Sequence, residues 1–247
     1  MAIAKKPPTS PEKSQTVHCL NQQTTMAREL VILLIGPTGS GKTSFVKFAT
    51  GSDVDISHTT HCKDYKTKWR DKDFRIIDTP GLEDLPADNL AILKDIAQML
   101  HSLKSPRVSG AIFFHRVTDG RFGGSARSHL EIFKQICGEE FDQQAVFLTT
   151  MWNKAAQVGR RRYEPIHEEL GRKYLFLSPL YTKVLKFEND VESAKQVLAH
   201  FAGTASNKQL RLADELNTVG LSLSGMRKTT AGRTIMKGAS TPLCVIL

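Results

Sequence analysis

The stretch Leu30-Val31-Ile32-Leu33-Leu34-Ile35-Gly36-Pro37-Thr38-Gly39-Ser40-Gly41-Lys42-Thr43 decides the fold. It opens with an unbroken apolar run, Leu30–Ile35, which has the length of a strand and the pattern of one buried on both faces of a parallel sheet. The rest matches G-x-x-x-x-G-K-[ST], and Lys42–Thr50 is compatible with a helix. A glycine-rich turn between a buried strand and a helix is built to hold phosphates. Glycines let backbone N–H groups close around a β-phosphate, and the helix start adds its positive end. Gly36, Pro37, Thr38, Gly39, Ser40 and Gly41 are therefore the expected cradle. Lys42 is expected to reach the β- and γ-phosphates, and Thr43 to place its hydroxyl on Mg²⁺.

Working outward, Phe74-Arg75-Ile76-Ile77 reads as a second strand and ends in Asp78-Thr79-Pro80-Gly81. An Asp about 35 residues beyond the cradle is placed to hold Mg²⁺ through water, and Gly81 to meet the γ-phosphate with its N–H. A cradle alone does not separate GTPases, ATPases and small-molecule kinases; this second motif narrows the choice toward the first. Between the two motifs, residues 52–63 form the expected first switch. It contains Thr59 and Thr60, either of which has the hydroxyl needed to bind Mg²⁺ and sense the γ-phosphate, and Thr60 is preferred. The expected metal set is thus Thr43, Thr60 and Asp78, with Lys42 and Thr60 as catalytic groups. His58, His61 and Cys62 read as ordinary surface residues of that loop.

Further along, Leu90, Ile92, Leu93, Ile96, Met99, Leu100 and Leu103 recur at helical spacing. Residues 109–114, Ala145–Thr150 and 184–187 read as strands, and 130–136, 163–170 and 191–201 as helices. Strands alternating with helices predict an α/β class with a mostly parallel sheet covered on both faces. Three regions follow: a flexible arm at 1–28, a nucleotide-binding domain at 29–203, and a basic tail at 204–247 in which only 210–216 has a helical pattern.

The chain has 247 residues, 40% hydrophobic, 24% charged and 7% aromatic, which excludes wholesale disorder, collagen-like repeats and a polytopic membrane protein. Its net charge of +9 suits polyanionic partners, yet it divides as +3 over 1–28, +2 over 29–203 and +4 over 204–247. The domain itself carries little excess. Basic and aromatic residues do not interleave, so nucleic acid is not an expected partner. Cys19, Cys62, Cys137 and Cys244 are too scattered for a disulfide framework and point to a reducing compartment.

The pieces GPTGSGKTSF, DTPG with an apolar successor, FFHRVTDGRFGGS, LEIFKQICGEE and AVFLTTMW together resemble the septin-like and immune-associated (avirulence-induced) P-loop GTPases. Within that group they are closest to the G-domain-containing proteins best known in fungi. The resemblance spans about residues 29–203. It implies a Ras-like fold, binding of GTP and GDP with Mg²⁺, and a homodimer across the nucleotide face. The base-recognition loop departs from pattern. Alignment puts Thr150-Met151-Trp152-Asn153 there, with an amide at Asn153 where a carboxylate accepts two hydrogen bonds from guanine; reading from Asn153-Lys154 instead puts Ala156 at that place. One mispaired guanine N–H costs about 1–3 kcal/mol, so weakened selectivity for GTP is expected. For the last base loop the resemblance favours Glu192-Ser193-Ala194, hence Ser193, with Ser178 as the alternative. Leu82 follows Gly81 where Ras-like enzymes carry a water-orienting glutamine, so hydrolysis is expected to be slow.

The chain ends Cys244-Val245-Ile246-Leu247, a C-a-a-X box whose last residue favours a geranylgeranyl group on Cys244. One lipid anchors marginally; Arg227, Lys228, Arg233 and Lys237 supply the second signal for an anionic leaflet, with Ser224, Thr229 and Thr230 as phosphorylation points beside them. The expected protein is a cytoplasmic, membrane-associated GTPase switch with low turnover. Its rivals are a nucleotide-binding scaffold with little hydrolysis, and a small-molecule kinase whose lid is Arg160-Arg161-Arg162.

Overall fold

Leu30, Ile32 and Leu34 point into one apolar cluster, while Val31, Leu33 and Ile35 point into another on the opposite side of the same strand. A strand alternates its side chains, so a run buried at every position needs a packed layer on each face. The computed structural model describes residues 29–56, 59–83, 85–103, 107–119, 122–141, 144–177, 181–203 and 208–238. The expected arm at 1–28, Ser178 and the Cys244 box lie outside the described residues.

The elements run β1 (Leu30–Ile35), α1 (Lys42–Thr50), β2 (Lys63–Trp69), β3 (Lys72–Asp78), α2 (Pro86–Ser102), β4 (Arg107–Val108), β5 (Gly110–Arg116), α3 (Gly124–Cys137) and β6 (Ala145–Thr150). They continue α4 (Trp152–Val158), α5 (Glu164–Leu177), β7 (Tyr181–Lys186), α6 (Val191–Gly203), β8 (Lys208–Gln209), α7 (Arg211–Val219), α8 (Leu223–Lys228) and α9 (Thr230–Gly238). The main sheet has the order β2-β3-β1-β5-β6-β7, parallel throughout except for β2, which pairs antiparallel with β3. The α/β class, mostly parallel with helices on both faces, is as expected. Register brings the ends of β1, β3 and β5 together, since Leu34 pairs with Asp78 and Ile35 with Phe113. The loops leaving those strands therefore share one edge of the sheet, where ligands bind in folds of this kind.

One face is covered by α1 and α6, through Phe45, Val46, Ala194, Val197, Leu198 and Phe201. Gly110 in β5 approaches this layer so closely that a Cβ there would stand 2.2 Å from the Phe201 ring. The other face is covered by α2 and α3, through Leu90, Leu93, Ile96, Leu130, Phe133 and Ile136.

The tail departs from expectation. Beyond Gly203 the described residues build three helices, and Leu210, Leu212, Ala213, Met226, Ala231 and Ile235 are buried in the α2–α3 cluster. The expected boundary at 203 is corrected: the domain extends through Gly238. The small residues that made 220–238 look coreless are what allow close packing. A Cβ on Gly232 would stand 1.9 Å from the Met226 carbonyl oxygen. Thr229 is buried and holds the α8–α9 junction, donating to the Met226 carbonyl at 2.7 Å and accepting from the Gly232 N–H at 3.0 Å, so it is no exposed phosphorylation point. Arg227, Lys228, Arg233 and Lys237 are exposed on this helical cap instead of trailing from it.

Candidate functional site

The turn between β1 and α1 is a cradle in three dimensions. Gly39 (φ 71°) and Gly41 (φ 93°) adopt left-handed backbone that only glycine takes without strain. The Lys42 ammonium folds back into the loop and donates to the carbonyls of Gly36 (3.0 Å) and Pro37 (3.2 Å). Burial pulls its pKa down to about 8, against the attraction of Asp78 and Glu83. A buried cation facing the cavity is poised to receive a polyanion. Facing the loop is a cavity of about 830 Å³, large enough for a nucleotide, lined by Thr38 through Ser44, Thr59, Thr60, Thr79 through Gly81, Glu83, Met151, Asn153, Lys154 and Asn189, with Ile56 and Ile92 completing the wall. Gly81 meets Thr38 so tightly that a Cβ would lie 2.2 Å from the threonine hydroxyl.

At the corner expected to hold the metal, Thr43 and Asp78 come together. The Thr43 hydroxyl donates to Asp78 Oδ2 at 2.8 Å, and the Thr59 hydroxyl donates to the same oxygen at 3.1 Å while standing 3.1 Å from Thr43 Oγ1. Thr60, the threonine preferred from the sequence, lines the cavity but is exposed and joins none of these bonds; the hydroxyl that meets Thr43 and Asp78 is that of Thr59. Neighbouring residues of an extended segment face opposite ways, and only the docked loop decides which faces inward. Asp78 Oδ1 is buried without a partner, and burial raises the carboxyl's pKa against the pull of Thr43, Lys42 and Thr59. Two hydroxyls and an orphaned carboxylate oxygen are the hard donor set that Mg²⁺ selects, so these residues fit the ion.

At the base end the expectations divide. Asn153 sits in the first turn of α4, which follows Met151 with its left-handed backbone (φ 65°), and it lines the cavity as expected. Thr150 does not line it. Thr150 is buried with its hydroxyl 2.8 Å from the Ser40 carbonyl and 3.3 Å from that of His115, so it braces the cradle from behind. Ser193 is likewise displaced from the site. Asp190 Oδ1 accepts the Ser193 N–H at 2.8 Å and so caps α6, which leaves Ser193 inside the first helical turn. The residue that does reach the cavity is Asn189, left-handed at φ 66°. Sequence reasoning passed over it, although Asp190 three residues before Ser193 is a capping signature that places the loop ahead of 190. Glu188 holds that loop through a forked pair with Arg160 at 2.8 and 2.6 Å, and Arg160 also bonds Glu164 at 3.1 Å. Arg160 is thus committed to structure, which counts against the kinase-lid reading.

A model of the AIG1 family matches residues 30–197. The chain belongs to the AIG1 family. Immune-associated nucleotide-binding protein 5 of Arabidopsis thaliana is 41% identical over 70 residues, a match that spans 28% of this chain and 23% of that protein. Among solved structures, Toc33 from Arabidopsis thaliana in complex with GDP and Mg²⁺ is 16% identical at a TM-score of 0.53, covering 74% of this chain and 87% of that one. A second structure, described under the statement that dimerization is important for the GTPase activity of the chloroplast translocon components atToc33 and psToc159, is 14% identical at 0.51, covering 74% and 85%. The fold these structures share with the chain is the Ras-like P-loop one.

Two further features of this AIG1 chain bear on chemistry. Leu82 is buried and bridges to Pro37, its N–H donating to the Gly36 carbonyl at 3.0 Å, so the side chain after Gly81 is an anchor. Arg116 pairs with Asp119 at 3.0 Å and stands beside the cradle, its Nη1 3.6 Å from where a Cβ on Gly39 would lie. Gly120 and Arg121 of the same motif lie outside the described residues.

Proposed function

We propose that this chain is a GTP-binding switch with slow, Mg²⁺-dependent hydrolysis that works at an anionic membrane. The observation that carries the nucleotide part is the Thr43–Thr59–Asp78 corner beside a buried Lys42 in a glycine cradle. Bound Mg²⁺ would neutralise phosphate charge there, held by Thr43 and Thr59 and, through water, by Asp78. Asn153 and Asn189 would meet the base with amides only, which supports guanine binding with reduced selectivity. Buried Leu82 supports slow turnover. The same observation favours a second reading, a nucleotide-dependent scaffold that hydrolyses little. Pairing across the nucleotide face would bring outside groups to the γ-phosphate, in keeping with the importance of dimerization for the GTPase activity of atToc33. Prenylation of Cys244 with the exposed Arg227, Lys228, Arg233 and Lys237, at about 1 kcal/mol each near an anionic leaflet, would hold the protein at the membrane.

The test is competition among GTP, ATP and XTP with and without Mg²⁺, a turnover assay across protein concentrations, and membrane fractionation of Cys244→Ser. Guanine binding that needs Mg²⁺, turnover that rises with concentration, and release of the variant to the soluble fraction are expected. Binding with no turnover at any concentration leaves the scaffold reading, and no guanine-nucleotide binding overturns both.

A further inference from the structure

We propose that Glu83 orients the water that attacks the γ-phosphate and accepts its proton. This rests on the GTP-hydrolysis reading above and names the residue that carries the chemistry. The position where Ras-like enzymes place a glutamine holds Leu82, and two backbone bonds fix it: Leu82 N–H to the Gly36 carbonyl (3.0 Å) and Thr38 N–H to the Leu82 carbonyl (3.4 Å). With Leu82 turned into the core, strand-like alternation turns its successor outward into the cavity. Glu83 is the one acid among the described residues lining that cavity. Its carboxylate accepts a hydrogen bond from the Thr38 hydroxyl, and its charge reaches the Lys42 ammonium. Thr38 is also the residue on which Gly81 closes. The acid therefore stands where the cradle, Lys42 and the Asp78–Gly81 motif converge.

The backbone at Glu83 is clamped. Asn89 Oδ1 accepts its N–H at 2.9 Å, Asn89 Nδ2 donates to its carbonyl at 2.7 Å, and His129 Nε2 lies 3.1 Å from the same carbonyl. Both holders are buried, one on α2 and one on α3, so the carboxylate projects from a fixed base. Thr38 and Glu83 also form the wall shared with a second cavity of about 290 Å³, lined by His115, Arg116, Asp119, Ser125 and His129 among others. Its polar lining and size suit ordered water at the acid's back. In the step, the water oxygen bonds to the γ-phosphorus. The bond from that phosphorus to the β–γ bridging oxygen breaks, its electron pair leaving on GDP. One water proton passes to Glu83 and from there to the released phosphate.

The experiment measures single-turnover GTP hydrolysis on the full chain, its Glu83→Gln and Glu83→Ala variants, with fluorescent GDP and GTP affinities on the same samples. Glu83 is exposed, so both variants should fold. The expected result is a rate lowered about 100-fold in Glu83→Ala, an intermediate rate in Glu83→Gln, which orients water without taking a proton, and affinities within about threefold of wild type. Unchanged rates with binding intact overturn the proposal. So do variants that bind GTP more than about tenfold tighter at an unchanged rate, since the carboxylate would then be a plug at the phosphate end. Wild-type protein that binds guanine nucleotide but never hydrolyses it overturns this proposal and leaves the binding reading standing; absence of binding overturns that reading itself.

Discussion

Thr59 and Thr60 are chemically the same and differ by one position, yet only the first meets Thr43 and Asp78. Thr59→Ala should weaken the Mg²⁺-dependent part of GTP affinity about tenfold, the worth of a hydrogen bond to a charged group, while Thr60→Ala should stay within about twofold. Titrating Mg²⁺ against bound nucleotide reads both, and equal effects would return the role to Thr60. A second residue-scale prediction concerns His115, whose pKa burial lowers to about 4, with Asp119 and Arg116 acting in opposite senses. Its ring packs against Phe122 and Phe147, which also touch each other. The native state holds this histidine neutral while the unfolded chain protonates it below about 6.5, so its stabilisation is complete above 6.5 and lost as pH falls toward 4. Between pH 7.5 and 5 that loss is about 2 kcal/mol. His167 shifts the same way through burial. Urea unfolding at the two pH values should show the fall, and His115→Gln should remove part of it; parallel slopes would count against the assignment. At this scale the glycine cradle was legible because one turn of chain supplies all of it. Thr59, Asn189 and Glu83 were not, because their roles depend on which way a loop residue faces after docking.

Elements were legible in proportion to how apolar they are. β1 and β6 appear with the predicted bounds, since strands buried on both faces carry a continuous apolar signal. β2 was missed: Lys63-Asp64-Tyr65-Lys66-Thr67-Lys68-Trp69 is an edge strand with exposed alternate positions, and its lysines discourage pairing with another chain. α4 was missed because it is short and places only Trp152 and Ala155 in the interior. α9 is the larger omission. Its apolar face rests on α2 and α3, and its polar residues had suggested a solvated tail. Ile235→Ala should therefore destabilise the protein by about 2–4 kcal/mol, as for a fully packed core aliphatic. Denaturant unfolding measures it, and a change under about 0.5 kcal/mol would make the helix an accessory.

For the whole molecule, the C-terminal helices pack on α2 and α3, the helices that cover the sheet's second face. Arg211 bonds Gln135 of α3 at 2.8 Å, Glu215 accepts the Thr230 N–H at 2.8 Å, and β8 pairs with β4. A chain truncated after Gly203 would expose the α2–α3 cluster and should aggregate or unfold cooperatively at lower temperature than the full chain. Retention of the full-chain Tm would show that the cap is dispensable. The charge of +9 also changes meaning at this scale, for the four basic residues of 220–238 lie on a folded surface with a defined direction. By itself the sequence determined the α/β class, the cradle and the Asp78–Gly81 motif, because strand burial and phosphate binding impose local patterns that a short segment satisfies alone. Only the tertiary structure decided which threonine meets Thr43 and Asp78, which asparagine lines the cavity, where Glu83 points and that the tail joins the core. Each of those depends on segments far apart in the chain meeting in one register, and no local pattern records that meeting.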